Sequence, residues 1–334
     1  MLSFQYPIIQ APMAGGIIPP EFVAAVSNAG CLGSIAAGNL SLSKLADQIK
    51  MVQSLTEQPF QVNLFANDWP AVQDVSAVNE ELNKIRKTLN LPVRHQYDFT
   101  PDASLTDYVD LCIELNVPIV SFTFGCPDSS LVDKLHKADI TVIGTISTVD
   151  EALIMQQAGV DAVVAQGYEA GGHKGGFSDA ASIGLMALVP QVVDAVRLPV
   201  IAAGGISDSR GIQAAHALGA SYVQIGTRFL NTVESTAHSL HKKAVTEAIE
   251  TDALYTQVFT GKTARGIQNQ MMTQLAHLDL PSYAYMNIMT KDIRAAAKNQ
   301  QEIDYMSNWS GQNIRTSETL PLDLVLTELT ASFH

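Results

Sequence analysis

The chain has 334 residues, 47% of them hydrophobic and 16% charged, with a formal net charge of -13. That length buries a large core, as one large α/β domain or two ordinary ones, and the acidic balance argues against nucleic-acid and membrane-surface partners while leaving room for a local nest of N–H groups around a phosphate. Cys31, Cys112 and Cys126 are widely spaced and form no CxxC pair, no apolar run reaches the roughly 18–20 residues of a membrane span, and the N-terminus lacks a signal-peptide pattern, so the expectation is a soluble cytoplasmic protein without disulfides or a structural zinc.

Eight short apolar runs, each closed by a turn signal, follow in order: 8–12, 31–36, 60–65, 118–123, 140–145, 161–166, 199–204 and 222–227. None alternates cleanly between polar and apolar, which fits a parallel sheet covered on its faces. Helical segments lie between them. Pro19-Pro20-Glu21 opens one that stops at Gly30; Thr148 and Glu151 have capping-box spacing ahead of a helix ending at Gly159; a Ser/Asp cap opens another ending at Gly219. Eight strand–helix alternations predict a (β/α)8 TIM barrel, with a doubly wound open sheet as the competing architecture.

Two stretches interrupt that rhythm. Residues 67–110 are polar and carry a candidate helix, AVNEELNKIRKTLN; residues 233–304 read as several helices without strand-like alternation. The expected division is a barrel of residues 1–66, 111–232 and 305–334, with 67–110 and 233–304 forming a smaller helical lobe on the substrate side. The tail, TLPLDLVLTELTASF, reads as an amphipathic helix covering the barrel.

Glycines mark the ends of the last two strands. Ala203-Gly204-Gly205-Ile206 and Gln224-Ile225-Gly226-Thr227 are separated by one helix, and these are the loops where a barrel commonly holds a phosphate. Glycine lets backbone N–H groups approach an anion, and the Thr227 hydroxyl can donate as well. Paired glycines that merely turn corners are the plainer reading. No GxGxxG follows a strand, and Gly261-Lys262-Thr263 lacks the earlier glycine of a P-loop.

After the sixth strand, residues 166–176 read QGYEAGGHKGG, five glycines in eleven residues. Such a segment is neither a stable helix nor a strand on its own, and it suits backbone pressed against a planar ligand. His173 in its middle stands at the barrel's catalytic end, with an ordinary pKa suited to proton transfer at neutral pH. The chain has eight histidines, and His173 is the one with a motif around it. His238 and His241 form an HxxH with no third ligand beside it.

Other candidates are weaker. Asn63 and Gln166 are polar residues in or at the end of apolar strands and need buried partners, from a ligand or from the core. Met13 follows the first strand, placed either against a planar ligand or as gap filler. Tyr283, Asn287 and Lys291 fall at i, i+4 and i+8, one helix face if the segment is helical, rimming an entrance or facing solvent. Cys126 has no neighbour that would activate a thiolate.

The blocks QAPMAGG, QVNLF, AQGYEAGGHKG, PVIAAGGISD and VQIGTRF, in that order, resemble the nitronate monooxygenase family, formerly called 2-nitropropane dioxygenases, and TGKTARGIQN and NWSGQ resemble its class I members. The likeness runs from about residue 5 to about residue 330. It implies an FMN-bound barrel that oxidises alkyl nitronates with O2 to a carbonyl compound and nitrite. It further implies His173 as base for neutral nitroalkanes or polar partner of the nitronate. Asn63, Gln166 and Gly171, with Met13 packed nearby, would contact the flavin. Gly204, Gly205, Gln224, Ile225, Gly226 and Thr227 would hold its phosphate. Lys174 stands where the family often has Arg, and Tyr168 is bulkier than the residue often found there. Related activities on the same fold are an FMN-dependent NAD(P)H enoyl-acyl carrier protein reductase, an NAD(P)H-quinone reductase, and a non-catalytic flavin-binding module. Nothing in the sequence sets the oligomeric state.

Overall fold

The computed structural model describes residues 2, 4–67, 71, 73–178 and 182–333. Eight parallel strands make one sheet: β1 (Ile8–Gln10), β2 (Gly33–Ala36), β3 (Phe60–Phe65), β4 (Ile119–Thr123), β5 (Thr141–Ile146), β6 (Ala162–Gln166), and, beyond a two-residue β7 (Gly172–His173), β8 (Val200–Ala203) and β9 (Tyr222–Ile225). Their spatial order is β1-β9-β8-β6-β5-β4-β3-β2, and a parallel bridge between Ile9 and Leu32 joins the two ends. The sheet is a (β/α)8 barrel rather than an open doubly wound sheet. All eight expected runs became its strands, with ends shifted by two residues or fewer.

Alternation along each strand sorts side chains to two sides. Ile9, Leu32, Ile119, Ile143, Val164 and Ile201 form one cluster, while Ile8, Val62, Val120, Val142, Val163 and Val200 belong to the larger one packed against the helices. Helix ends follow the local chemistry. Thr148 accepts from Glu151 N–H and Gly159 closes that helix at φ 91°; Asp208 caps Ser209–Ala217; Leu322–Thr330 buries Val325 and Leu329 against the barrel.

Beside the barrel's mouth sits a second core of Val78, Leu82, Ile85, Leu89, Phe259, Met271, Met286, Met289 and Ile293, among others. It is built from the helices Ser76–Thr88, Gln270–Leu275, Tyr285–Met289 and Lys291–Gln300. The helix Leu105–Glu114 spans the expected boundary at 110, and its Val109 and Cys112 lie in the barrel core. The late region also departs from an all-helical reading. β10 (Ala253–Thr256) and β11 (Ala264–Ile267) form an antiparallel ladder, and β11 pairs in turn with β7. Four-residue strands are too short to show a period in sequence, and their partner is a glycine loop almost a hundred residues away. No described helix is long and apolar enough to cross a membrane.

Candidate active site

The loop after β6 is held on every side. Gln166 brackets it: Nε2 donates to His173 O (3.0 Å) and Oε1 accepts from Gly175 N–H (2.6 Å). Gly175 O accepts from Phe124 N–H (2.8 Å) and the Thr123 hydroxyl (3.2 Å) at the end of β4. Buried Glu151 accepts from the N–H groups of Phe177 (2.7 Å) and Ser178 (2.6 Å) and from Ser147. Burial opposes its charge, but these N–H donors outweigh burial and hold the carboxyl below the usual range. Its expected reciprocal capping bond is replaced by this clamp.

On the far side Arg265 of β11 is 1% exposed, with its guanidinium 4.4 Å from the Tyr168 ring centroid and 4.2 Å from that of Tyr255. Its nitrogens donate to Tyr168 O (2.8 and 3.2 Å) and Ala253 O (2.6 Å). The pairing of Ala264 with His173 then fixes the histidine's backbone. Five glycines give the loop its shape; hydrogen bonds from four neighbouring elements keep it there.

The His173 imidazole lies among rings, with centroids 5.4 Å from Trp309, 5.5 Å from Phe124 and 6.4 Å from Tyr283. Nε2 is 2.8 Å from the Thr260 hydroxyl. Burial, reinforced by the charges of Lys262 and Arg294, pulls the imidazole pKa from 6.5 to about 3. The side chain keeps some accessible surface despite this desolvation, as a group lining a cavity does. Tyr283 is likewise deeply surrounded yet partly accessible, its phenol pushed up by burial, and its hydroxyl has no hydrogen-bond partner among the described residues. A neutral base in an aromatic, cation-flanked cavity can accept a proton or donate a hydrogen bond to an anion.

Across the mouth, the loops after β8 and β9 carry the glycines singled out above. Gly204 and Gly205 take φ of +119° and +69°, which a side chain would strain. The N–H groups of Gly204, Gly205, Gly226 and Thr227 find no acceptor among the described residues. A phosphate with several acceptor oxygens fits that donor set. The segment 309–313 straps these loops to the histidine loop: Gly311 N–H donates to Thr227 Oγ1 (3.0 Å), Gln312 N–H to Glu169 O (3.0 Å), and Asn313 Nδ2 to Gly205 O (2.9 Å). Gly171 has no room for a Cβ, which would stand 2.5 Å from Gly311 N. Gln224 is partly accessible beside them, whereas the Ile225 side chain is fully buried in the core.

Asn63 is 4% exposed and donates to Ser121 O (3.3 Å) and Oγ (3.0 Å), so the core satisfies its amide N–H groups while Oδ1 keeps no protein partner among the described residues. Met13 is partly buried against the barrel core. The face of Tyr283, Asn287 and Lys291 is broken: Asn287 is buried and bonded to Asn39 Oδ1 (2.8 Å), and Lys291 is exposed. His241 is buried against Trp309 O (2.9 Å) and His238 caps its helix, accepting from Leu240 N–H. Phe124, Thr260, Arg294 and Trp309 were not picked out from sequence. Thr260 and Lys262 lie in or beside TGKTARG, which did carry a signal; for Arg294 on its polar helix nothing in the pattern does.

The family profile described as nitronate monooxygenase matches residues 1–332. A probable nitronate monooxygenase of Staphylococcus saprophyticus is 44% identical over 326 residues, covering 94% of this chain and 91% of that one. The crystal structure of a nitroalkane oxidase from Streptomyces ansochromogenes superposes with a TM-score of 0.92 at 36% identity, covering 98% of this chain and 96% of the other. FabK from Thermotoga maritima is similar at a TM-score of 0.78 and 28% identity, over 99% and 93% of the two chains.

Proposed function

Since the chain belongs to the nitronate monooxygenase family, a family of oxidoreductases, we propose that it binds FMN and oxidises alkyl nitronates with O2 to a carbonyl compound and nitrite. The observation that carries the reading is His173: a desolvated imidazole, neutral at physiological pH, on a loop clamped at the barrel's C-terminal face. The four unengaged N–H groups of Gly204, Gly205, Gly226 and Thr227 would hold the FMN phosphate, with the Thr227 hydroxyl proton free to join them. Gly171, Gln166, Asn63 and Met13 would contact its ring. When bound, the flavin supplies the electron-accepting chemistry, and this chain's residues place the substrate.

For a neutral nitroalkane, His173 removes the α-proton; for a nitronate, it offers a hydrogen bond. The Thr260 hydroxyl has a second acceptor in Lys262 O (3.3 Å), so Nε2–H can donate to Thr260 and leave Nδ1 as the basic nitrogen. Phe124, Tyr283 and Trp309 keep water from the reacting carbon. The lobe built on the helices Ser76–Thr88, Gln270–Leu275, Tyr285–Met289 and Lys291–Gln300 forms the substrate side in this reading, with Thr260 and Tyr283 supplied from the same late region.

The test is the visible spectrum of the purified protein followed by O2 uptake and nitrite release with propyl nitronate. A flavin spectrum with rapid uptake is expected. A colourless protein that does not take up FMN rejects the reading. The likeness to FabK supports a rival, reduction by NAD(P)H of an enoyl thioester or quinone; anaerobic bleaching by NADPH but not by nitronate would establish it instead.

A further inference from the structure

In a chain with net charge -13, the wall around His173 is positive. Lys262 and Arg294 both depress the imidazole, and Arg294 also acts on Lys298. Arg294 is held in one orientation by neutral groups. Nε donates to Thr290 Oγ1 (3.1 Å), and Nη2 donates to Asn287 O (2.9 Å) and Oδ1 (2.7 Å). Those partners are themselves fixed: the Thr290 hydroxyl donates to Phe259 O (2.6 Å), next to Thr260, and Asn287 Nδ2 donates to Asn39 Oδ1 (2.8 Å). Nη1 has no acceptor among the described residues.

The other buried arginines are different. Arg86 is paired with Asp292 (2.9 Å) and Arg228 with Glu328 (2.5 Å), while Arg265 directs its donors to two carbonyls between two tyrosine rings. Arg294 has no carboxylate within ion-pairing distance among the described residues, and Asp292, two residues earlier, is engaged by Arg86 and Arg94 (3.8 Å). A desolvated guanidinium without a counter-ion is costly to keep, and burial pulls its pKa down to about 10. Like His173 and Tyr283 it retains accessible surface, and its charge acts on both of them, which sets it beside them.

We propose that Arg294 is an anion-binding residue of the substrate cavity, its Nη1 donating to the oxygens of the substrate's nitronate group and making the site select anions over neutral molecules of the same shape. This rests on the cavity being the substrate cavity. With Nε and Nη2 already engaged, the two diverging N–H groups of Nη1 reach the O–N–O end through single charge-assisted contacts, not through the two-nitrogen fork of an Arg–carboxylate pair. Asn287 and Thr290 act as its positioning residues.

The probe is nitrate, a planar anion with that O–N–O end and no oxidisable carbon, titrated into the flavin-loaded protein by calorimetry. Arg294→Gln is expected to bind nitrate at least about tenfold more weakly. It should also raise KM for propyl nitronate by a similar factor while kcat changes less than about twofold and KM for neutral 1-nitropropane holds; Arg294→Lys should recover part of the loss. Equal nitrate affinity in the wild type and a normally melting Arg294→Gln overturns the proposal, as does a wild type that binds no nitrate. Should Arg294→Gln fail to fold, nitrate inhibition of the wild type decides: competitive against propyl nitronate supports the site, and absent or non-competitive inhibition overturns it. Nitrate binding needs no turnover. A wild type that binds nitrate through Arg294 yet consumes no O2 with nitronate therefore rejects the oxidation and leaves the anion site standing.

Discussion

The two sides of the barrel mouth present different kinds of groups. On the side of β8 and β9 the donors are backbone N–H groups presented by glycines, within two short motifs one helix apart. On the side of the lobe the groups are side chains drawn from across the chain: Phe124, His173, Thr260, Tyr283, Arg294 and Trp309. At Gly204 and Gly205 the cradle tolerates little change, because their left-handed backbone and 3.1 Å neighbours leave no easy place for a Cβ, whereas a side-chain wall can be retuned one residue at a time. In the proposed function the first would hold the FMN phosphate and the second would meet the substrate.

Substitutions can break this contrast, and the largest effect is expected where backbone meets backbone. Gly171→Val would drive a Cβ to 2.5 Å from Gly311 N and push the strap off the histidine loop. FMN affinity should fall by about a hundredfold or more, read as loss of flavin on gel filtration, because a backbone contact cannot yield as a side chain can. Next is the imidazole. His173→Asn should lower kcat/KM for neutral nitroalkanes by roughly 10²–10⁴ while affecting preformed nitronates far less, since only the neutral substrate needs a base. Similar losses on both substrates would contradict the proton-transfer role.

A third expectation is read along the pH axis. His173 titrates near 3 and His241 near 4 in the folded chain, against 6.5 when unfolded. Their folded values are the lower ones, so the unfolded state binds more protons below pH 6.5. The stability tied to their neutral forms is complete above that pH and is lost progressively as pH falls toward 3. Melting temperature should decline through this window, and kcat/KM should show no acid limb near 6.5 before the protein unfolds. The smallest effect belongs to Lys291, which is exposed. Lys291→Ala should change KM and kcat by less than about twofold in steady-state assays. A larger change would bring that residue into the cavity and blur the contrast.

The two sides also differ in how far the amino-acid pattern revealed them. The paired glycine motifs and the loop around His173 stood out because their chemistry is local: glycine density at strand ends has few structural explanations. The eight strand runs were readable for the same reason, each being short, apolar and closed by a turn signal. The lobe was not. Its two four-residue strands have no legible period, the helix at 105–114 had no sign that it belongs to the barrel, and the polar face expected at Tyr283, Asn287 and Lys291 turned out to divide between buried and exposed positions.

What the sequence by itself determined is therefore the repeating strand–helix rhythm, the capped helices, the glycine turns and the presence of one histidine among them, all set by interactions within a few residues. Only the tertiary structure decided that Arg294 has no carboxylate within ion-pairing distance among the described residues, that Thr260 meets the imidazole, and that the segment 309–313 ties three loops together. Those facts depend on desolvation and on pairings between residues up to a hundred positions apart or more. Burial and long-range pairing are properties of the packed chain rather than of any stretch of it.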